Sequence, residues 1–244
     1  MPAIILAWPA CAQAATVTLH PNLDNTIYSE SNNSNATGGL FSGVTNGGNI
    51  RRALMEFDMA SGGIPAGSVI LSVSLSVTQT KIGPAGAANF ELRPLLAAWG
   101  EGSSNGSGTG SPATSGDATW NFRMFNTDSW SSPGGDFGSA SATTSMGTAL
   151  NTYTFNSTPN LVADVQGWLD SPASNFGWLL RASTESGTSA REFGSRESSL
   201  AQQPSLVITY TPAPEPSAAG LSAMAAACAV LRRKRGTAKR PDVR

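Results

Sequence analysis

Residues 69–78 constrain this chain more than any other stretch: Val69, Leu71, Val73, Leu75 and Val77 alternate with Ile70, Ser72, Ser74, Ser76 and Thr78. Successive side chains of an extended backbone point to opposite faces, so a period of two gathers the first set on one face and sends the hydroxyls to the other. A helix, repeating every ~3.6 residues, would scatter both sets around its circumference. The segment therefore predicts a half-buried β-strand with the five odd-numbered aliphatic side chains against a core. Shorter patterns of the same kind occur at 53–59, 90–95, 151–155, 176–181 and 206–210. Turn-forming runs separate them, such as Gly62-Gly63-Ile64-Pro65-Ala66-Gly67 and Pro133-Gly134-Gly135-Asp136.

One segment departs from this period. Leu161, Val165, Trp168 and Leu169 recur at helical spacing, with Thr158 suited to cap the helix and Pro159 to its first turn. Residues 103–116 are rich in Gly and Ser without an apolar anchor, which predicts a mobile loop. Many short strands, regular turns and a single helix together predict an all-β fold, a β-sandwich of jelly-roll type with one short helix.

The two ends of the chain differ from its middle. Residues 1–14 are uncharged, mostly apolar, and finish in Ala12-Gln13-Ala14, a small-x-small pattern expected of a secretory signal peptide and its cleavage site. The domain is then expected over 15–213. A tail follows over 214–244: Pro214-Glu215-Pro216, an uncharged Ala-rich stretch at 217–231, and Arg232-Arg233-Lys234-Arg235. The stretch predicts a C-terminal apolar helix, short of the ~20 residues that span a bilayer comfortably but able to cross a thin one. The basic cluster would hold its own end on the cytoplasmic side, leaving the domain outside. This tripartite order resembles the PEP-CTERM sorting signal of Gram-negative bacteria. The resemblance implies recognition by an exosortase-type processing enzyme, transient membrane anchoring, and delivery to the cell surface or extracellular matrix.

Charge and residue counts then remove whole classes of function. Over 15–213 fourteen acidic side chains face eight basic ones, a poor endowment for binding nucleic acid, where clustered Lys and Arg must neutralise phosphates. The two cysteines, Cys11 and Cys228, fall in the signal and the tail, so no disulfide braces the domain. The single histidine, His20, precedes the first patterned strand and is a weak basis for a Ser-His-Asp system, and a zinc site built on several His or Cys is excluded by count. Paired carboxylates of the kind that hydrolyse glycosides remain open, because spacing in sequence does not reveal their separation in space.

Sugar rings stack their C–H faces on aromatic side chains while polar neighbours take the hydroxyls. Trp120 and Trp130 flank a polar stretch beside Asp136, and Trp99 adjoins another, which makes these four the candidate carbohydrate-binding residues; the alternative for each Trp is a place in the core. Trp168 and Trp178 lie in periodic apolar segments and are expected in the core. Calcium is the one cofactor suggested, with Asp24, Asn25 and Asp136 as candidate ligands and Asp117 and Asp128 as further oxygen donors, against the alternative of solvated loop acids. Asp58 is expected to face solvent or to pair with Arg51 or Arg52, and Arg196 to pair with Glu197.

Several phrases occur together along the domain: Asp24-Asn25-Thr26-Ile27-Tyr28, Arg52-Ala53-Leu54-Met55-Glu56-Phe57-Asp58, Ile64-Pro65-Ala66-Gly67, Trp99-Gly100-Glu101-Gly102, Ala118-Thr119-Trp120, and Asn175-Phe176-Gly177-Trp178-Leu179-Leu180. Phe193-Gly194-Ser195-Arg196-Glu197 follows, with Ser195-Arg196-Glu197 nearest to the motif that names the family. This set resembles the DNRLRE domain family, similar to a carbohydrate-binding module of β-sandwich fold. The resemblance implies association with extracellular polysaccharide rather than catalysis. Three functions stay open: a non-catalytic glycan-associated module, a structural matrix or coat protein without a specific ligand, and a small polysaccharide-active enzyme.

Overall fold

The computed structural model describes residues 13–213. The 214–244 tail, its expected apolar helix, and the signal segment up to residue 12 lie outside the described residues. Among the described residues no helix is long and apolar enough to cross a membrane.

The domain is mostly β. Its first strands are β1 (Ala15–Leu19), β2 (Leu23–Tyr28), the short β3 (Asn33–Ser34), β4 (Leu40–Val44) and β5 (Ile50–Glu56). The long β6 (Val69–Ile82), β7 (Ala88–Pro94) and the short β8 (Ser111–Pro112), β9 (Phe122–Met124) and β10 (Asp128–Ser129) follow. After them come β11 (Ala142–Met146), β12 (Thr152–Phe155), the helix α1 (Pro159–Asp170), β13 (Trp178–Ala182), β14 (Arg191–Phe193) and β15 (Ser205–Thr211). All registered pairings are antiparallel: the main sheet runs β1-β15-β6-β14-β4-β5-β13-β7-β11, with β12 also on β6, β2 also on β5, and β3 joining β2 to β8, while β9 and β10 pair separately.

Strands from both ends of this path feed one apolar cluster: Val73, Leu75 and Val77 of β6 and Leu206 and Ile208 of β15 lie in it with Met55 of β5, Phe90 and Leu92 of β7, and Trp178 and Leu180 of β13. The helix closes one side of this cluster. Thr158 is its N-cap, accepting the Leu161 N–H at 3.0 Å, and Leu161, Val165 and Trp168 are the side chains it buries. Trp168 packs on Trp178 with ring centroids 4.3 Å apart, and Trp178 Nε1 donates to Asp164 Oδ2 at 2.8 Å, so α1 is tied to β13 by both packing and a hydrogen bond.

β6 corrects the sequence reading in one respect. Thr209 pairs with Ser72 but Tyr210 pairs with Ile70, which leaves Leu71 without a partner in the ladder. This β-bulge reverses the facing of the strand's first residues: Ile70 turns inward, and Val69 and Leu71 are 58% and 50% exposed. Only Val73, Leu75 and Val77 of the expected five line the core.

β5 and β13 are covered on both faces. Ala53 and Met55 enter the first cluster while Leu54 enters a second; Trp178 and Leu180 enter the first while Leu179 enters the second. The second cluster is completed by Ile27 of β2 and by Leu95, Trp99, Ala118 and Trp130, all from the long connection between β7 and β11. That connection is a covering layer rather than a set of free loops. Its Gly- and Ser-rich part, expected to be mobile, is anchored by polar groups instead of apolar ones. Asp117 Oδ1 accepts the Ser103 and Ser104 N–H groups, Asn35 Oδ1 accepts the Gly106 N–H, Tyr28 donates to Ser107 O, and Ser111–Pro112 pairs with Asn33–Ser34.

Candidate functional site

The covering layer decides the fate of the sequence-based sugar platform. Trp99 and Trp130 are 4% and 5% exposed, packed with Leu54 and Leu179, and their indole N–H groups donate to Phe176 O and Thr119 O at 2.9 Å each. Neither offers a ring face to a ligand, which corrects that expectation. Sheet strands with apolar side chains on both faces need a second apolar layer, and these two Trp residues supply it. Trp120 is half-buried, but Arg52 lies over its ring at 4.6 Å, held there by Gly134 O and a bidentate pair with Glu185. Asp136 closes its own loop, accepting the Ser131 and Ser132 N–H groups.

The expected calcium ligands are also dispersed. Asn25 Oδ1 accepts from Thr26 N, Ser34 Oγ and Asn35 N, so its side chain organises the turn after β2. Asp117 binds backbone N–H groups of the covering layer, and Asp128 pairs with Arg123 at 3.0 Å. Asp24 alone reaches a cluster, and its companions are Glu101 and Glu197. Arg196 sits among them: its Nε and Nη2 bind Glu101 at 2.6 and 2.8 Å, its Nε lies 3.0 Å from Glu197, and its backbone N–H donates to Asp24 Oδ2 at 2.7 Å. The expected Arg196–Glu197 pair is present, with the stronger fork made to Glu101. Burial pushes the Asp24 carboxyl well above the usual carboxylate range, the Arg196 N–H opposes this, and the charges of Glu197 and Glu101 add to it. Glu101 is held in place by the glycines on either side. A Cβ on Gly100 would collide with Gly116 O, and one on Gly102, at φ +74°, with the Asp117 carboxylate.

A groove opens where the ends of β5 and α1 meet. Its apolar wall is Met59, Ile64, Trp168 and Leu169; its rim carries Asn22, Glu56, Asp58 and Asn175; its volume is about 340 Å³. Glu56 Oε1 accepts from Asn22 Nδ2 at 3.3 Å, and Asn175 is fixed by donating to Phe57 O and accepting from Gly177 N. Burial raises the Glu56 carboxyl above its ordinary value, Asn22 lowers it, and the Asp58 charge raises it again. Asp58 faces solvent and accepts the Ala60 N–H, while Arg51 and Arg52 pair with Glu30 and Glu185 instead. An apolar wall with convergent amide and carboxylate groups on its rim is the composition of a site for a small polar ring.

No family model matches this chain, and no curated protein matches it.

The groove residues escaped sequence reasoning because they come from three separate segments, around residues 22, 56–66 and 168–175. A signal for part of it existed. Trp168 and Leu169 close a helical apolar pattern one turn before Pro172, which places both at the end of the helix. Glu101 and Glu197 carried no such signal, since each stands in a polar stretch whose spatial neighbours are set by the covering layer and by the segment before β15.

Proposed function

We propose that this protein is an exported, non-catalytic module of β-sandwich, jelly-roll type that associates with extracellular polysaccharide through the groove beside α1. The observation that carries the reading is the pairing in one groove of an apolar floor, where the nearly buried Met59, Ile64 and Trp168 meet half-buried Leu169, with a rim of Asn22, Glu56, Asp58 and Asn175. A pyranose ring presents apolar C–H faces and equatorial hydroxyls, and needs both kinds of surface at once. Two carboxyl groups on the rim disfavour uronic or sulfated chains, so the glycan proposed is neutral. The DNRLRE-like phrases along the domain support the same class of ligand. The PEP-CTERM-like tail supports processing by an exosortase after transient membrane anchoring, and a final place at the surface or in the matrix of a Gram-negative bacterium.

Affinity electrophoresis of the full chain through gels of neutral and anionic polysaccharides tests this. Retardation is expected in a neutral gel and is expected to vanish with Ala66→Trp, a change at an exposed position of the groove that fills it without touching the core. Equal mobility in every gel would transfer the reading to a structural matrix or coat protein without a specific ligand. A second reading rests on the Glu56 carboxyl, raised by burial and by the Asp58 charge on the same rim, since a glycoside-cleaving acid needs a raised carboxyl with a second one nearby. Release of reducing ends from the retained polysaccharide, lost in Glu56→Gln, would establish it.

A further inference from the structure

The geometry assigns a second site to this domain: Asp24, Glu101 and Glu197 form a binding site for one calcium ion. Each contributes a carboxylate oxygen, and the three oxygens lie within 4.8 Å of one another. Oxygens that share one calcium at ~2.3–2.6 Å can be separated by about that much, so the three are close enough to converge on a common ion.

Two independent features point to a bound cation here. First, Asp24 Oδ1 is buried and has no hydrogen-bond partner, while Oδ2 of the same carboxyl is taken by the Arg196 N–H. A buried carboxylate oxygen without a partner is costly, and the Asp24 side chain is fully buried. Second, the charges do not balance. With Asp24 ionised, three carboxylates share one cation: among the described residues Arg196 is the one cation in contact with Glu101 or Glu197, and its backbone N–H meets Asp24. A divalent ion would bring the group to neutrality.

Ligand chemistry selects calcium. All three donors are hard oxygens, with no imidazole or thiolate among them, which disfavours zinc and copper. Glu101 and Glu197 already share oxygens with Arg196, so the site is irregular; calcium tolerates this, and magnesium, which demands a near-ideal octahedron, does not. Glu197 is exposed, leaving an open side through which the ion enters and on which water completes its shell. The site joins the start of β2, the covering layer through Glu101, and the segment before β15 through Glu197. Calcium would therefore staple three parts of the chain that no disulfide connects.

The test is calorimetric titration of calcium chloride into the full chain after removal of metal with a chelator, with thermal melts alongside. One calcium per chain is expected, with affinity in the range of about 10⁻⁴–10⁻³ M found in extracellular modules, and a rise in melting temperature that magnesium does not reproduce. Glu197→Gln, at an exposed position, is expected to weaken binding about tenfold or more with the fold unchanged by circular dichroism. Asp24→Asn is expected to abolish binding, and Asp136→Asn to leave it intact. No heat and no rise in melting temperature up to about 10 mM calcium would overturn the assignment. Calcium binding of parental strength in folded Glu197→Gln would overturn it as well, as would loss of binding in Asp136→Asn.

Discussion

Burial holds the carboxyl groups of Glu56 and Asp164 above the ordinary carboxylate range, in each case against hydrogen bonds that favour the charged form. A carboxyl raised in the folded state binds its proton more tightly there than in the unfolded chain. Its contribution to stability is then complete below the unfolded value, 4.5 for Glu56, and is lost as pH rises through the higher folded value. Glu56→Gln mimics the protonated form and keeps an oxygen for Asn22 Nδ2. It is expected to melt higher than the parent at neutral pH, with the gap closing as pH falls past 4.5; a gap of constant size across that range would show that burial is not the cause. The tryptophans show how unevenly residues can be read from sequence. Trp168 and Trp178 stand in periodic apolar runs and lie in the core as their spacing requires. Trp99 borders a polar stretch and Trp130 stands inside one, and what buries them, Leu54 and Leu179, lies far along the chain.

At the scale of elements, α1 was the most legible. Its cap, first-turn proline and apolar spacing all agree with the helix Pro159–Asp170. Thr158 Oγ1 both accepts from Leu161 N and donates to Ser141 O, so it serves the helix and the segment before β11 together. Thr158→Ala is expected to cost about 1 kcal/mol, read from the midpoint of urea unfolding, with Thr158→Ser recovering most of it. β6 was legible as a strand but not in its facing. The bulge at Leu71 adds a residue on one strand only, and alternation within β6 cannot show where its partner β15 lacks one. The 103–116 segment was misread for a related reason. Composition identifies chains without apolar anchors, yet here buried Asn35 and Asp117 supply polar ones.

Across the whole domain, the two clusters divide the work. The first, between β6 with β15 and β5 with β13 and β7, draws on strands from the entire chain; the second rests on the covering layer between β7 and β11. The layer should therefore open before the rest. Trp130→Ala is expected to destabilise the protein by roughly 3–5 kcal/mol at most and to admit protease first within 103–116, while the near-ultraviolet signal of packed Trp178 persists. Simultaneous loss of both would show that the clusters unfold as one unit. Sequence alone determined that the domain is β-rich, that it carries one capped helix, that it lacks cysteines, and that its net charge is acidic; these follow from local periodicity and from counting. Only the tertiary structure decided that β5 and β13 are buried on both faces, that Trp99 and Trp130 are core, and that Glu56 shares a groove with Trp168 while Asp24 meets Glu101 and Glu197. Each of those depends on which distant segments pack together, and a period within one strand carries no information about what covers its other face.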